Sequence, residues 1–356
     1  MIPKEPKAGV FKHPHRPTYN RPRASGLDKL AQLASNPTKA PQSGPKPLFS
    51  QSFEARAKPK HKSAYIGLNL ALANSHSPMV KRYWRQYRCS SEIELDQATG
   101  KTKTAYCNTR TCQVCGRIRT AKMINQYGPI IEQTPNLYFL TVTAPTIKGE
   151  FLRAEIMARK ERIARGIKSL KQYNRRMKLD DVKAIVKLEV TYNEQSKEHH
   201  PHLHILIQGE ENAKYLLCHW MTNTPNANID AQDIRPADTG SCIELFKYIS
   251  KTTKKDKATG KEIIYPYNII DEQVQALDRV RTFAVCGFPK PNPENDKCEP
   301  EEILDDVKPK GGTPLHFTYD LGTWNWYERS TGEALTNYTP DKIKELLIPP
   351  WKPPNR

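Results

Sequence analysis

Between residues 137 and 207 the apolar and polar positions of the chain alternate with the period of two that marks half-buried β-strands. Leu137–Thr143 (L-Y-F-L-T-V-T) is β-branched and aromatic and stops just before Pro145, as a strand does. Alternation puts Phe139, Thr141 and Thr143 on one face and Tyr138, Leu140 and Val142 on the other. In Val182–Tyr192, Val186, Leu188 and Val190 share one face, with Lys187 and Glu189 opposite. Glu198–Ile207 (E-H-H-P-H-L-H-I-L-I) turns Leu203, Ile205 and Ile207 one way and His202 and His204 the other. The polar connection Asn193–His200 predicts that the last two segments pair as an antiparallel hairpin, which sets Glu189 beside the two histidines.

Elsewhere the period lengthens. Ala64–Asn74 and Met79–Tyr87 are expected to be helical, as is Glu150 to about Met177, where Phe151, Ile156, Ile163, Ile167 and Leu170 line one side and cations the other. Ala213–Met221 predicts a short helix, Pro225–Thr239 a loop, Ser241–Lys254 a helix with Ile243, Phe246 and Ile249 on its apolar side, and Asp256–Glu262 a charged turn. Arg279–Phe288 reads as a further strand, His316–Glu333 as a weaker hairpin and Pro340–Leu347 as a short helix. Residues 1–62 are rich in proline and cations and have little apolar periodicity beyond Leu27–Leu33, so they are expected to be a disordered tail. The remaining divisions are a helical, Cys-rich module over 63–130, a strand-rich domain over 131–290 and an extension of unknown role over 291–356.

Composition adds a partner. A formal charge of +18 over 356 residues suggests a polyanion, nucleic acid first. The tail alone carries 13 Lys and Arg against three acidic residues, and either contacts DNA or serves as a solubilising extension. No run of 18 apolar residues predicts a membrane span, and the basic N-terminus lacks the apolar stretch of an export signal. Without export, the eight cysteines point to a reducing, cytoplasmic setting with metal-bound or free thiols.

Two further patterns carry chemistry. Cys89 and Cys107-x4-Cys112-x2-Cys115 make a four-thiol set able to hold a structural Zn²⁺ or to remain reduced and unbound, with Arg110, Arg117, Arg119 and Lys122 around it. On the helix predicted over 241–254, Glu244 and Tyr248 are four residues apart and Lys251 follows one turn on. An acid, a phenol and an ammonium on one stripe suit a base, a nucleophile and a charge stabiliser. Two imidazoles and a carboxylate with open positions suit a catalytic divalent metal, Mg²⁺ or Mn²⁺.

The strand F-L-T-V-T-A-P, the strand H-P-H-L-H-I-L-I and the helix E-L-F-K-Y-I-S-K, in that order, resemble the rolling-circle replication initiators (Rep proteins) of small bacterial plasmids. These belong to the HUH endonuclease superfamily, and the likeness is greatest to the branch with one tyrosine and a glutamate four residues before it. L-E-V-T-Y-N, the upstream cysteines and R-V-R-T-F-A-V-C-G-F extend the resemblance over roughly Cys89–Phe288. It implies an α+β fold, a central antiparallel sheet with flanking helices, and cleavage of one origin strand through a phosphotyrosine. On the matching positions it implies His202 and His204 as metal ligands, Tyr248 as nucleophile and Glu244 as base for a later step. Glu189 as third ligand rests on the hairpin instead, and His200, before the proline, leaves open which histidine pairs with His204. The implied partners are origin DNA, single-stranded or extruded as a hairpin or cruciform, and a host helicase and polymerase; oligomeric state is not indicated. A single-tyrosine transposase or a relaxase shares this chemistry, although relaxases generally place the tyrosine ahead of the histidines. A noncatalytic zinc-dependent DNA-binding regulator would explain the cysteines and the charge, but not H-P-H-L-H together with E-x3-Y-x2-K.

Overall fold

In the computed structural model, which describes residues 51–98, 101–238, 241, 245–246, 252–255, 262–290 and 312–339, the alternating segments pair as one antiparallel sheet. Strands β1 (Glu92–Leu95) and β2 (Thr102–Thr104) belong to a smaller sheet described below. The main sheet contains β3 (Leu137–Thr143), β4 (Ala184–Asn193), β5 (Glu198–Gln208), β6 (Asp233–Pro236) and β9 (Phe283–Cys286) in the order β6-β3-β5-β4-β9. β4 and β5 form the predicted hairpin, in register from Ala184↔Ile207 to Asn193↔Glu198.

The sheet's two faces differ because the pleat sorts the alternating residues. Leu140, Val142, Val186, Leu188, Val190, Leu203, Ile205 and Ile207 form the main core with Ile156, Ile163 and Leu170 of α4 (Leu152–Met177) and Leu216 and Trp220 of α5 (Glu210–Asn223). Each such fully buried side chain contributes about 1.5–3 kcal/mol. Trp220 also donates its indole N–H to the Thr143 carbonyl at 3.0 Å, fixing α5 to the end of β3. On the opposite face, Phe139, Ile185 and Leu206 are covered by Ile131 of α3 (Gln113–Glu132) and by Leu245 and Phe246. Farther along that face the residues are polar: Thr141, Thr143, Lys187, Glu189, His202 and His204.

A second sheet joins the two ends of the described chain. β10 (Leu315–Asp320) pairs with β1 and with β11 (Asn325–Glu328), giving the order β11-β10-β1-β2. Residues 312–339 are therefore part of the Cys-rich module's own fold, not an appendage. Phe53, Ala57 and Ala64 of α1 (Gln51–Ala73) pack with Ile93, Leu95, Phe317 and Trp326. α2 (Val80–Tyr87) lies against α1, with Tyr83 in a cluster that includes Ile66 and Leu70.

α1 corrects the boundary drawn at residue 63, since residues 51–62 are helical. Two features hide this helix in the sequence. Pro59 lies inside it and has no N–H for the Ala55 carbonyl, and Arg117 donates to that carbonyl instead, at 2.7 Å. Lys60 occupies a core-facing position: its ammonium, wholly buried, reaches the carbonyls of Cys89 (2.7 Å) and Tyr87 (3.2 Å) and lies 4.4 Å from the centre of the Tyr319 ring.

Other expectations also change. The Pro225–Thr239 loop contains the edge strand β6, which pairs with β3 because its backbone groups find a free ladder there. The helix expected over 241–254 does not run to its end, because Thr253–Lys255 is a strand (β7) paired with β8 (Glu262–Ile264). The strand expected over 279–288 is ordered only as Phe283–Cys286, and α6 (Tyr267–Ala276) had no clear periodic signal. Leu27–Leu33 and Pro340–Leu347 lie outside the described residues. Among those residues, no helix is long and apolar enough to cross a membrane.

Candidate functional site

The site grows from three neighbouring strands in one register. Thr141 and Thr143 on β3 face His204 and His202 on β5, and these pair in turn with Lys187 and Glu189 on β4. One ligand atom from each of Glu189, His202 and His204 lies within 4.8 Å of the others, and Glu189 Oε2 is 3.6 Å from His204 Nε2. His200 does not share this cluster; its Nε2 meets the Thr143 hydroxyl, and its ring stacks on that of His202 at 5.3 Å.

Hydrogen bonds orient the imidazoles. The Nδ1–H of His202 donates to the His200 carbonyl at 3.1 Å, which leaves Nε2 with its lone pair. His204 Nδ1 lies 3.1 Å from the Thr141 hydroxyl, and its Nε2 is buried without a hydrogen bond. Burial holds His202 down at about 4, against the opposing pull of Glu189, so the ring is neutral near pH 7, the form that binds metals. An orphaned buried nitrogen, a neutral imidazole and a carboxylate together fit a divalent cation.

Alternation places Lys187 on this face without indicating a role for it. Its ammonium, 1% exposed, lies 3.3 Å from Glu189 Oε2 and balances a carboxylate that is fully buried. Arg159 gave no sequence signal, since it lies among the many cations of α4. It is buried behind the histidine strand, where it donates to the Pro145 carbonyl at 2.8 Å and to that of Pro201, between His200 and His202. A long-range contact of this kind is invisible to local periodicity.

Cys89, Cys107, Cys112 and Cys115 form a second cluster, all four buried. The hairpin of β1 and β2 closes the 17-residue gap, with Ser90 N–H bonded to the Ala105 carbonyl at 2.8 Å. Cys115 Sγ is 3.5 Å from Cys89 Sγ and 3.7 Å from Cys107 Sγ. Zn–S bonds of about 2.3 Å in a tetrahedron would set the sulfurs about 3.8 Å apart. Backbone N–H groups of Cys107, Asn108 and Thr109 point at Cys89, Cys115 and Cys107 sulfurs at 3.3–3.4 Å, as donors to thiolates do. These residues therefore fit a structural zinc ion. Cys218 is exposed and Cys286 half-buried, away from the cluster, while Cys242 and Cys298 lie outside the described residues.

Glu244, Tyr248 and Lys251 also lie outside the described residues. Their described neighbours Leu245 and Phe246 pack on the histidine-bearing face of the sheet, and the Phe246 carbonyl accepts from the Thr120 hydroxyl at 3.0 Å.

The chain is similar to two curated proteins, each named "Protein rep". One, from Bacillus sp, is 32% identical over 128 residues, 34% of this chain and 40% of that protein. The other, from Bacillus amyloliquefaciens, is 30% identical over 142 residues, 37% of this chain and 40% of that protein. The likeness to a Rep-type protein thus spans well under two thirds of these relatives. No family model and no solved structure matches the chain.

Proposed function

We propose that the chain is a plasmid rolling-circle replication initiator of the HUH type, which nicks one DNA strand at the origin and later rejoins or releases it. The observation that carries this reading is the cluster of Glu189, His202 and His204 on one face of an antiparallel sheet. The two relatives named "Protein rep" support the replication role, and the charge of +18 suits a DNA substrate.

In this reading Glu189, His202 and His204 hold a divalent ion, which supplies charge neutralisation at the phosphoryl oxygens. Thr141 and the His200 carbonyl fix the two rings, and Arg159 fixes the carbonyl between the histidines. The Tyr248 hydroxyl loses its proton and its oxygen attacks phosphorus; the P–O3′ bond breaks and the 3′ oxygen takes up a proton. The products are a 5′-phosphotyrosyl protein and a free 3′-hydroxyl that can prime a polymerase. Lys251, three residues on in the chain, favours the phenolate. At termination Glu244 accepts a proton from a water whose oxygen bonds to phosphorus of the displaced strand, the P–O3′ bond breaks and the 3′ oxygen takes up a proton. The four cysteines of the Cys-rich module would hold a structural zinc ion.

Incubation with single-stranded origin DNA and Mn²⁺ is expected to give a covalent adduct that Tyr248→Phe abolishes. Wild-type protein that forms no adduct would instead favour a noncatalytic zinc-dependent DNA-binding regulator. Adducts with transposon ends but not with a plasmid origin would favour a transposase.

A further inference from the structure

Two polar side chains of α1, Lys60 and Ser63, are wholly buried on the side of the helix that meets the cysteines. Lys60 donates from Nζ to the carbonyls of Cys89 (2.7 Å) and Tyr87 (3.2 Å) and to the Ser91 hydroxyl (2.8 Å). Ser63, three residues on and so on the same face, accepts the Gln113 N–H at 2.7 Å. Its own hydroxyl proton is then directed at Cys112 Sγ, 3.3 Å away. The Ser63 carbonyl accepts from the Gln86 amide of α2 at 3.2 Å, and the amide oxygen takes the hydroxyls of Thr109 and Thr111 from the loop between Cys107 and Cys112.

These contacts satisfy hydrogen bonds but leave a charge unanswered on each side. The three acceptors around the Lys60 ammonium are neutral, and no carboxylate pairs with it among the described residues. Buried charges are as a rule paired, because an ammonium without a counter-charge is costly away from water. Four thiolates around one Zn²⁺ would have the opposite deficit, a net charge of about −2. The four cysteines are buried too, and the backbone N–H groups aimed at Cys89, Cys107 and Cys115 bring only partial charge. The ammonium touches the carbonyl of Cys89 itself, so bond lengths alone keep it within about 7 Å of Cys89 Sγ. At that range in a protein interior, opposite charges attract far more strongly than in water.

We infer that Lys60 and Ser63 are positioning residues of the zinc site: the Lys60 ammonium balances the charge of the metal-bound thiolates beside Cys89, and the Ser63 hydroxyl holds Cys112 as a thiolate. α1 is thereby joined to the cysteines by charge as well as by the apolar contacts of Phe53, Ala57 and Ala64. This accounts for a lysine at a core-facing position where an apolar residue would continue the stripe. A lysine that only held the Tyr87 and Cys89 carbonyls would fix the backbone there and leave the sulfurs electronically unchanged. The inference rests on the zinc reading and is independent of the nicking one.

The test loads the full-length protein with Co²⁺ in place of Zn²⁺ and records its absorption, while zinc affinity is measured by competition with a chromogenic chelator. Wild type should show the d–d bands of a tetrahedral site and a sulfur-to-cobalt charge-transfer band. Lys60→Gln keeps a hydrogen-bond donor but loses the charge. It should retain the d–d bands, move the charge-transfer band to longer wavelength because the sulfur electrons lose a stabilising cation, and bind zinc roughly tenfold more weakly. Ser63→Ala should move the band the same way to a smaller extent, and it carries the test alone if Lys60→Gln does not fold. Arg85 also donates to a cysteine carbonyl, that of Cys107 at 3.1 Å, but from an exposed position. Arg85→Gln should therefore leave band and affinity unchanged. An unmoved charge-transfer band in both α1 variants, or an equal shift in Arg85→Gln, would overturn the assignment alone. Wild-type protein that takes up Co²⁺ without sulfur-to-cobalt charge transfer, or takes up none, would overturn the zinc reading and this inference with it.

Discussion

Lys187 and Glu189 make the charge balance of the site depend on one buried pair. Removing one partner of such a pair costs about 3–5 kcal/mol, because the other is left buried and uncompensated. Lys187→Met should therefore destabilise the metal-free protein by about 3 kcal/mol, and Mn²⁺ should restore more stability to the variant than it adds to wild type. Melting curves with and without Mn²⁺ check both expectations. His202 makes a prediction in pH. Its folded value of about 4 lies below the ordinary imidazole value near 6.5, so the unfolded chain binds more protons between the two. Stability of the metal-free protein should thus fall as pH drops from about 6.5 to about 4. His200, also lowered by burial and then by Arg159, adds a slope of the same sign. Denaturant midpoints across this window should fall less steeply for His202→Gln than for wild type. At this scale alternation within each strand, joined by the predicted hairpin, brings Lys187, Glu189, His202 and His204 to one face, because the pleat has a fixed period. Arg159 acts across layers, so nothing in its own neighbourhood marks it, and alternation gives Thr141 a face but not its contact with His204.

Among the elements, the C-terminal hairpin carries the clearest prediction. Trp326 is almost fully buried in the small sheet and donates its indole N–H to the Ser90 carbonyl at 2.8 Å, next to Cys89. Trp326→Ala should cost about 3–5 kcal/mol. If the four cysteines hold zinc as proposed, it should also speed release of that zinc to a chromogenic chelator, whereas a hairpin that merely hangs beside the module would leave release unchanged. The hairpin was legible as a local pattern, but its partner was not, since β1 and β10 are more than 200 residues apart in the chain. α1 was half legible for a different reason. Ala64 onward shows helical spacing, but Pro59 and Lys60 break the apolar stripe, and the groups that compensate, Arg117 on the Ala55 carbonyl and the Cys89 carbonyl under Lys60, come from elsewhere.

For the whole molecule, charge sets the expectation. Residues 1–50 carry nine Lys and Arg against two acidic residues. Deleting them should weaken binding to single-stranded DNA of any sequence and flatten its salt dependence, while leaving the melting temperature of the remainder close to that of the full chain. Electrophoretic shifts at 50 and 200 mM salt test this; an unchanged salt dependence would assign the tail a role other than DNA contact.

By itself the sequence determined the strands, their faces and the hairpin that brings Glu189 to the histidines. Those features follow from local alternation and a short connection, which the chain cannot satisfy in many ways. It also determined the four thiols and the basic excess, which are matters of residue type. Only the tertiary structure decided which histidines gather with Glu189, because His200 is drawn off by Thr143 on a neighbouring strand. It likewise decided that the C-terminal hairpin joins the strands between Cys89 and Cys107 in one sheet, and that Arg110 reaches across to the Leu277–Arg281 turn. Each of these depends on contacts between residues far apart in sequence, whose geometry exists only once the layers have packed.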